Sequence, residues 1–203
     1  DTRSIDWRVT ARTGIPHIKL YREERELSVL LCIDTSSSLL TGSSHSTAYK
    51  HISEIASCIG LIAAENNDKV GAIIFSDQIE DYSPPKKGVS YTGKIISKLL
   101  HREIKPGKTT NIVELINFIN KTQKRKCVVF ILSDFIPLNF QESIRTLSRK
   151  HDVTAIRVES EIDRSLPIPS YVRIKDPETG MISLINGRSK ANRQLMEQAY
   201  ANH

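Results

Sequence analysis

Long hydrophobic runs are missing from this 203-residue chain. A helix that crosses a bilayer takes roughly 20 consecutive apolar residues. The best candidates, VLLCI at 29–33, CIGLIAA at 58–64 and CVVFIL at 127–132, are far shorter, so membrane insertion by this segment is not expected. A charged-then-apolar leader is also missing at its start. Cysteine is scarce: Cys32, Cys58 and Cys127 form no CxxC and have no histidines at metal-ligand spacing. They read as small buried hydrophobes in a reducing compartment, which points to the cytoplasm.

Aromatic residues make up only 6% of the chain, and none interleaves with basic ones as a single-strand nucleic-acid binder requires. The net charge of +6 leaves a basic nucleic-acid binder or an acidic protein partner open. The one dense basic run, KTQKRK at 121–126, falls where a helix should end before a strand, a place where cations complement the helix dipole and stay solvated. No specific nucleic-acid site is expected. The motifs GxSxG, HExxH and GxGxxG are absent. PGKTT at 106–110 resembles a phosphate loop, but the glycine that motif needs five residues before Gly107 is Arg102. No catalytic residue is assigned, and the chain reads as a non-enzyme.

What is present is alternation. LSVLLCI (27–33), VGAIIF (70–75) and CVVFIL (127–132) are short apolar runs rich in β-branched residues, as in strands covered on both faces. Between them, apolar residues recur at helical spacing at Ile52, Ile55, Ala56, Ile59, Ile62 and Ala63, at Ile112, Leu115, Ile116 and Ile119, and at Phe140, Ile144 and Leu147. DVTAIRV (152–158) is less apolar and should lie nearer an edge. DQIEDYSPP (77–85) reads as an antiparallel return whose Pro84 and Pro85 stop the pairing. YVRIKDPETGMISLI (171–185) splits into a C-terminal hairpin, with a last helix over 190–201. The pattern predicts an α/β fold, a doubly wound and mostly parallel sheet with helices on both faces. Residues 1–26 are expected as an N-terminal arm with an edge strand, and 27–203 as the single compact domain. Trp7, the only tryptophan, should anchor that arm onto the sheet edge or a helix, with partner docking as the other use. The charges of YREERE (21–26) suit a solvated edge.

Doubly wound sheets bind ligands beyond the C-terminal strand ends, where strand order reverses. VLLCI runs into Asp34-Thr35-Ser36-Ser37-Ser38, CVVFIL into Ser133-Asp134, and PGKTTNI places Thr110 in a loop before a helix. Two carboxylates and several hydroxyls suit a hard divalent cation such as Mg2+, which takes oxygen ligands and keeps some water. In a tight loop, every second side chain of D-x-S-x-S can turn toward one centre. The alternative is that Ser36 and Ser38 cap the following helix and Asp134 ends a strand in a turn.

The order Asp34-x-Ser36-x-Ser38, Thr110, Asp134 resembles the metal-ion-dependent adhesion site of von Willebrand factor type A domains. More closely, RSIDWRVTAR, YREERELSVLLCIDTSSS, NNDKVGAIIFSDQIEDYSPPKKG, KTTNI, VVFILSDF and RKHDVTAIRV resemble the bacterial family called domain of unknown function 58. The resemblance spans nearly the whole chain. It implies the type A fold, with Asp34, Ser36, Ser38, Thr110 and Asp134 as the metal set for Mg2+, or Mn2+ in its place. It also implies a protein partner that offers an acidic side chain, a MoxR-type AAA+ ATPase or its client, in chaperone-like assembly or maturation. Within that family the chain reads as a fragment, and some relatives carry two transmembrane helices upstream. A Mg2+-dependent phosphate- or nucleotide-binding hydrolase stays as the alternative, because a cation at a strand-end crevice serves phosphate as well as carboxylate.

Overall fold

The computed structural model describes residues 6–17, 26–40, 42–43, 46–135, 140–158, 171–175 and 182–186. Five strands form the main sheet: β1 (Ser28–Asp34), β4 (Lys69–Phe75), β5 (Ile79–Lys86), β6 (Val128–Ser133) and β7 (Asp152–Arg157). Their spatial order is β5-β4-β1-β6-β7. β1 pairs in parallel with β4 and β6, β6 in parallel with β7, and only β5 runs antiparallel. Helices α2 (Ala48–Glu65), α3 (Val89–Leu100), α4 (Ile112–Thr122) and α5 (Gln141–Ser148) supply the crossovers. Two small ladders stand apart: β2 (Gly42–Ser43) with β3 (Ser46–Thr47), and the expected C-terminal hairpin, β8 (Tyr171–Lys175) with β9 (Ile182–Asn186).

The alternation of side chains along β1 divides the core in two. Val29, Leu31 and Ile33 pack with Ile52 and Ala56 of α2 and Ile95 and Leu99 of α3. Leu30 and Cys32 face the other way, toward Leu115, Ile116 and Ile119 of α4 and Leu147 of α5. With both faces covered, β1 carries no polar side chain between the half-buried Ser28 that opens it and Asp34 that ends it. β7, exposed or half-buried along its length, is the edge strand that its weaker apolar character predicted. The basic run 121–126 overlaps the end of α4 and the loop before β6, and Lys126 pairs with Asp152 at 2.8 Å between two exposed side chains.

Several expectations need correction. Pro84 and Pro85 do not stop β5, which continues to Lys86. Its free edge lets it tolerate prolines, and the register shift between Val70 and Ala72 absorbs them. Gly71 sits under that shift. A Cβ there would lie 2.7 Å from the Pro85 nitrogen and 2.8 Å from the Ser83 carbonyl oxygen, both backbone atoms that cannot step aside. Gly71→Ala should therefore destabilise the fold by about 2 kcal/mol, read as a lower urea midpoint with unchanged slope.

In the arm, residues 7–13 form a helix, α1 (Trp7–Thr13). The Asp6 carboxylate caps it, accepting from the Arg8 and Val9 amides at 3.1 and 3.2 Å. Gly14 ends it at φ 71°. The helix buries none of its residues, and Trp7 is 63% exposed, so the indole does not anchor the arm. Cys58 is exposed, unlike Cys32 and Cys127, because the buried stripe of α2 passes through Ser53, Ala56, Ser57 and Gly60 and leaves position 58 on the solvent side. The charged edge expected over 21–25 and the helix expected over 190–201 lie outside the described residues.

Candidate metal centre

β1 is where strand order reverses. The crossover through α2 carries the chain to β4 on one side, and the later path through α3 and α4 brings β6 to the other. Parallel register sets Ile33 against Leu132, so the next positions, Asp34 and Ser133, emerge side by side. Asp34 is fully buried and its carboxylate is the hub of the site. Oδ1 accepts from the Ser36 amide at 2.8 Å. Oδ2 accepts from the Ser133 hydroxyl at 2.6 Å and the Thr110 hydroxyl at 3.0 Å. The Ser36 and Ser38 hydroxyl oxygens lie 3.0 Å apart. Asp134, 8% exposed, stands close enough for its charge to act on Asp34.

Backbone stitching fixes these loops. The Thr35 amide and hydroxyl both donate to the Phe75 carbonyl, at 2.8 and 2.9 Å. Ser37 and Lys108 exchange two bonds: the Ser37 amide donates to the Lys108 carbonyl at 2.9 Å, and the Lys108 amide to the Ser37 hydroxyl at 2.7 Å. The intervening turn passes through Gly107 at φ 85°, a left-handed conformation that glycine adopts without strain. The Asn111 amide donates to the Ser76 carbonyl at 2.9 Å, while its side-chain oxygen caps α4 by accepting from Glu114 at 3.0 Å. Loops 34–38, 105–111 and 76–78 are thus one unit, and hydroxyls distant in sequence are held in place before any ligand arrives.

The cap reading of the serines fails for α2. Its N-cap is Thr47, which accepts from the Lys50 amide at 3.3 Å, and Ser36 and Ser38 lie a small ladder away from that helix. Asp34, Ser36, Ser38 and Thr110 are joined by these bonds and Asp134 adjoins them. Sequence reasoning missed Ser133, whose hydroxyl donates to Asp34 and accepts from the Phe135 amide at 3.0 Å. Strand register is the signal that could have found it, since Ser133 is the residue opposite Asp34 once β1 and β6 are paired.

Burial pushes the Asp34 carboxyl up to about 6. The Asp134 charge adds to the rise, and the bonds from Ser133 and Ser36 only partly offset it. A cation bound beside it would favour the ionised form and offset that burial cost. Among the described residues no three His, Cys, Asp or Glu side chains gather as ligands. The donors here are two carboxylates and three hydroxyls, an all-oxygen set that fits Mg2+ or Mn2+ and not a thiolate- or imidazole-loving metal. The Ser36 and Ser38 hydroxyls, and the Thr110 hydroxyl and Asp34 Oδ2, are each held at 3.0 Å by a direct hydrogen bond, which keeps these oxygens in one cluster. The buried histidine of the described chain, His151, lies at the opposite end of the sheet beside Cys127, 3.1 Å from its sulfur, and serves no base role at the strand ends.

Comparison with known proteins agrees with this architecture. A crystal structure of an aerotolerance-related membrane protein from Bacteroides fragilis aligns over 85% of this chain and 87% of its own, with TM-score 0.56 and 17% identity. BatB from Bacteroides thetaiotaomicron aligns over 84% of each chain, with TM-score 0.53 and 17% identity. Proximal thread matrix protein 1 of the mussel byssus aligns over 65% of this chain and 38% of its own, with TM-score 0.51 and 14% identity. At such identities the likeness is one of fold, and the fold is von Willebrand factor type A-like. In sequence, the chain is 27% identical over 184 residues to the uncharacterized protein Rv1480 of Mycobacterium tuberculosis, covering 90% of this chain and 58% of that one. The chain thus spans little more than half the length of this relative. Among the described residues no helix is long and apolar enough to cross a membrane. The family model described as protein of unknown function DUF58 matches residues 1–203, and the chain belongs to that family.

Proposed function

We propose that this domain is a non-catalytic, cation-dependent protein-binding module. Ser36, Ser38 and Thr110 coordinate Mg2+ directly, and Asp34 and Asp134 hold it directly or through water. The observation that carries this reading is the fully buried Asp34 carboxylate with three hydroxyls and a second carboxylate around it at the sheet's switch point. With few direct carboxylates, the ion stays electron-poor and accepts one more ligand from outside. The matching external ligand is an Asp or Glu side chain of a partner protein. The partner in this reading is a MoxR-type AAA+ ATPase or its client, acting in assembly or maturation, as the family resemblance leads one to expect. The free thiols Cys32 and Cys127 suit a domain that works on the cytoplasmic side.

The test is retention of a purified MoxR-type ATPase on the immobilised chain, with Mg2+ or with EDTA. Retention should need Mg2+ and disappear in Asp34→Ala, while circular dichroism of that variant stays native, because the side chain stands at the rim of the sheet and not within either apolar cluster. Retention that persists in EDTA, or turnover of phosphate esters that depends on Asp34, would defeat the proposal.

A further inference from the structure

Beside the metal centre opens a cavity of about 260 Å3, which shares Thr35 and Lys108 with the loops just described and is lined further by Glu80, Arg102, Glu103 and Lys105. Three cations face two carboxylates there. Glu80 is already saturated. Its Oε1 receives Lys108 Nζ at 2.8 Å and lies 2.6 Å from the Ser76 hydroxyl, and its Oε2 is bonded by Arg102 Nη2. The Thr35 hydroxyl, the neutral group nearest the metal loop, is turned to the Phe75 carbonyl.

Glu103, the other lining carboxylate, is exposed, and the part-buried charged groups left to meet a ligand are donors. Among the described residues Arg102 is held through Nη2 alone, which leaves the rest of its fork open. Lys108 keeps a proton beyond its bond to Glu80, with Asp77 no closer than 4.0 Å. Lys105 is exposed and its ammonium enters no ion pair among the described residues. The Arg102 and Lys108 side chains are 25% and 22% exposed, reachable from solvent yet held by their bonds to Glu80. Paired cations pre-organised by one part-buried carboxylate form a receptor for a planar anion, bidentate at Arg102.

We propose that this cavity is an anion subsite that takes a second carboxylate of the partner, next to the one on the ion, so that the module reads paired acidic residues and not a lone one. The inference rests on the cation-dependent reading for the first carboxylate; the subsite itself does not. Arg102 and Lys105 act as specificity residues in it.

The experiment follows backbone amide shifts of the labelled whole chain in two arms. In the first, sodium sulfate is titrated in EDTA at constant ionic strength, with chloride as control. Saturable shifts are expected at Arg102, Lys105 and Lys108, at least fivefold weaker in Arg102→Gln and in the exposed Lys105→Gln, a substitution that cannot disturb the core. In the second, with saturating Mg2+, acetyl-Gly-Glu-Gly-Glu-Gly-amide is compared with the same peptide carrying Gln for its second Glu. The two-acid peptide should bind at least tenfold tighter, an advantage that falls below threefold in Arg102→Gln. Sulfate that shifts no amide in the cavity overturns the subsite, as does equal Mg2+-dependent binding of both peptides, which would leave the metal reading standing. Site-selective sulfate binding with no Mg2+ dependence for either peptide supports the subsite and defeats the metal reading instead.

Discussion

Asp34→Asn should raise the melting temperature of the chelated protein at pH 7.5 and abolish its stabilisation by Mg2+. The sign follows from where the carboxyl titrates. In the unfolded chain an aspartate loses its proton near pH 4, but in the fold burial, with the Asp134 charge added, holds Asp34 up at about 6. The folded state therefore binds this proton more tightly, and the stability linked to it is fully present below pH 4 and lost as pH rises through 6. The rise corresponds to about 3 kcal/mol, or on the order of 8 °C in a domain of this size. Asparagine keeps an oxygen for the Ser36 amide and turns its amide toward Ser133 and Thr110, whose hydroxyls rotate to accept, so it removes the buried charge at small cost to the network.

Two further readings follow for differential scanning calorimetry. In EDTA the wild type should gain stability relative to Asp34→Asn between pH 7.5 and pH 5, since groups common to both, such as the buried His151 whose pKa is lowered, cancel in the difference. Mg2+, which replaces the missing countercharge, should stabilise the wild type at pH 7.5 and much less at pH 5, where the proton competes for the same oxygen. A lower melting temperature for Asp34→Asn in EDTA, or a Mg2+ response that survives the substitution, would mean that the carboxylate serves only to tie the loops together.

The second large effect is expected at Glu80, which is 13% exposed. Burial alone would push its carboxyl up, but bonds from Lys108, Ser76 and Arg102 and the Arg102 charge outweigh that and bring it down to about 2. Here the folded value lies below the unfolded one, so the linked stability is present above about pH 4.5 and is lost as pH falls toward 2. Glu80→Gln leaves two part-buried cations without their anion, a change that costs more than the net worth of the pair. Discounted for solvent screening, the loss at pH 7 is about 2 kcal/mol, read as a lower urea midpoint. Between pH 7 and pH 3 the gap to wild type should narrow by about half, since protonated Glu80 is itself a neutral group. A gap that stays constant across that range would show that shape, and not charge, makes Glu80 matter.

Much of the molecule was legible locally. VLLCI, VGAIIF and CVVFIL became β1, β4 and β6, as short apolar runs rich in β-branched residues suit strands covered on both faces. Ile112, Leu115, Ile116 and Ile119 became the buried stripe of α4. The hydroxyl-rich loop was flagged by its position after a strand and Thr110 by its place in a loop before a helix, and the fold brings both to one carboxylate. Pro84 and Pro85 misled because a rule about strand interiors was applied to an edge, where one side has no ladder to break.

The sequence by itself determined the alternation of strands and helices, the end of the sheet at which polar side chains gather, and the oxygen chemistry of that end, because periodicity and residue type are carried by neighbours along the chain. Only the tertiary structure decided how deeply Asp34 is buried, that Ser133 donates to it, that Glu80 joins Arg102 and Lys108 beside it, and that Trp7 and Cys58 face solvent. Desolvation and the choice of partner depend on which element comes to cover a residue, and no local pattern encodes that.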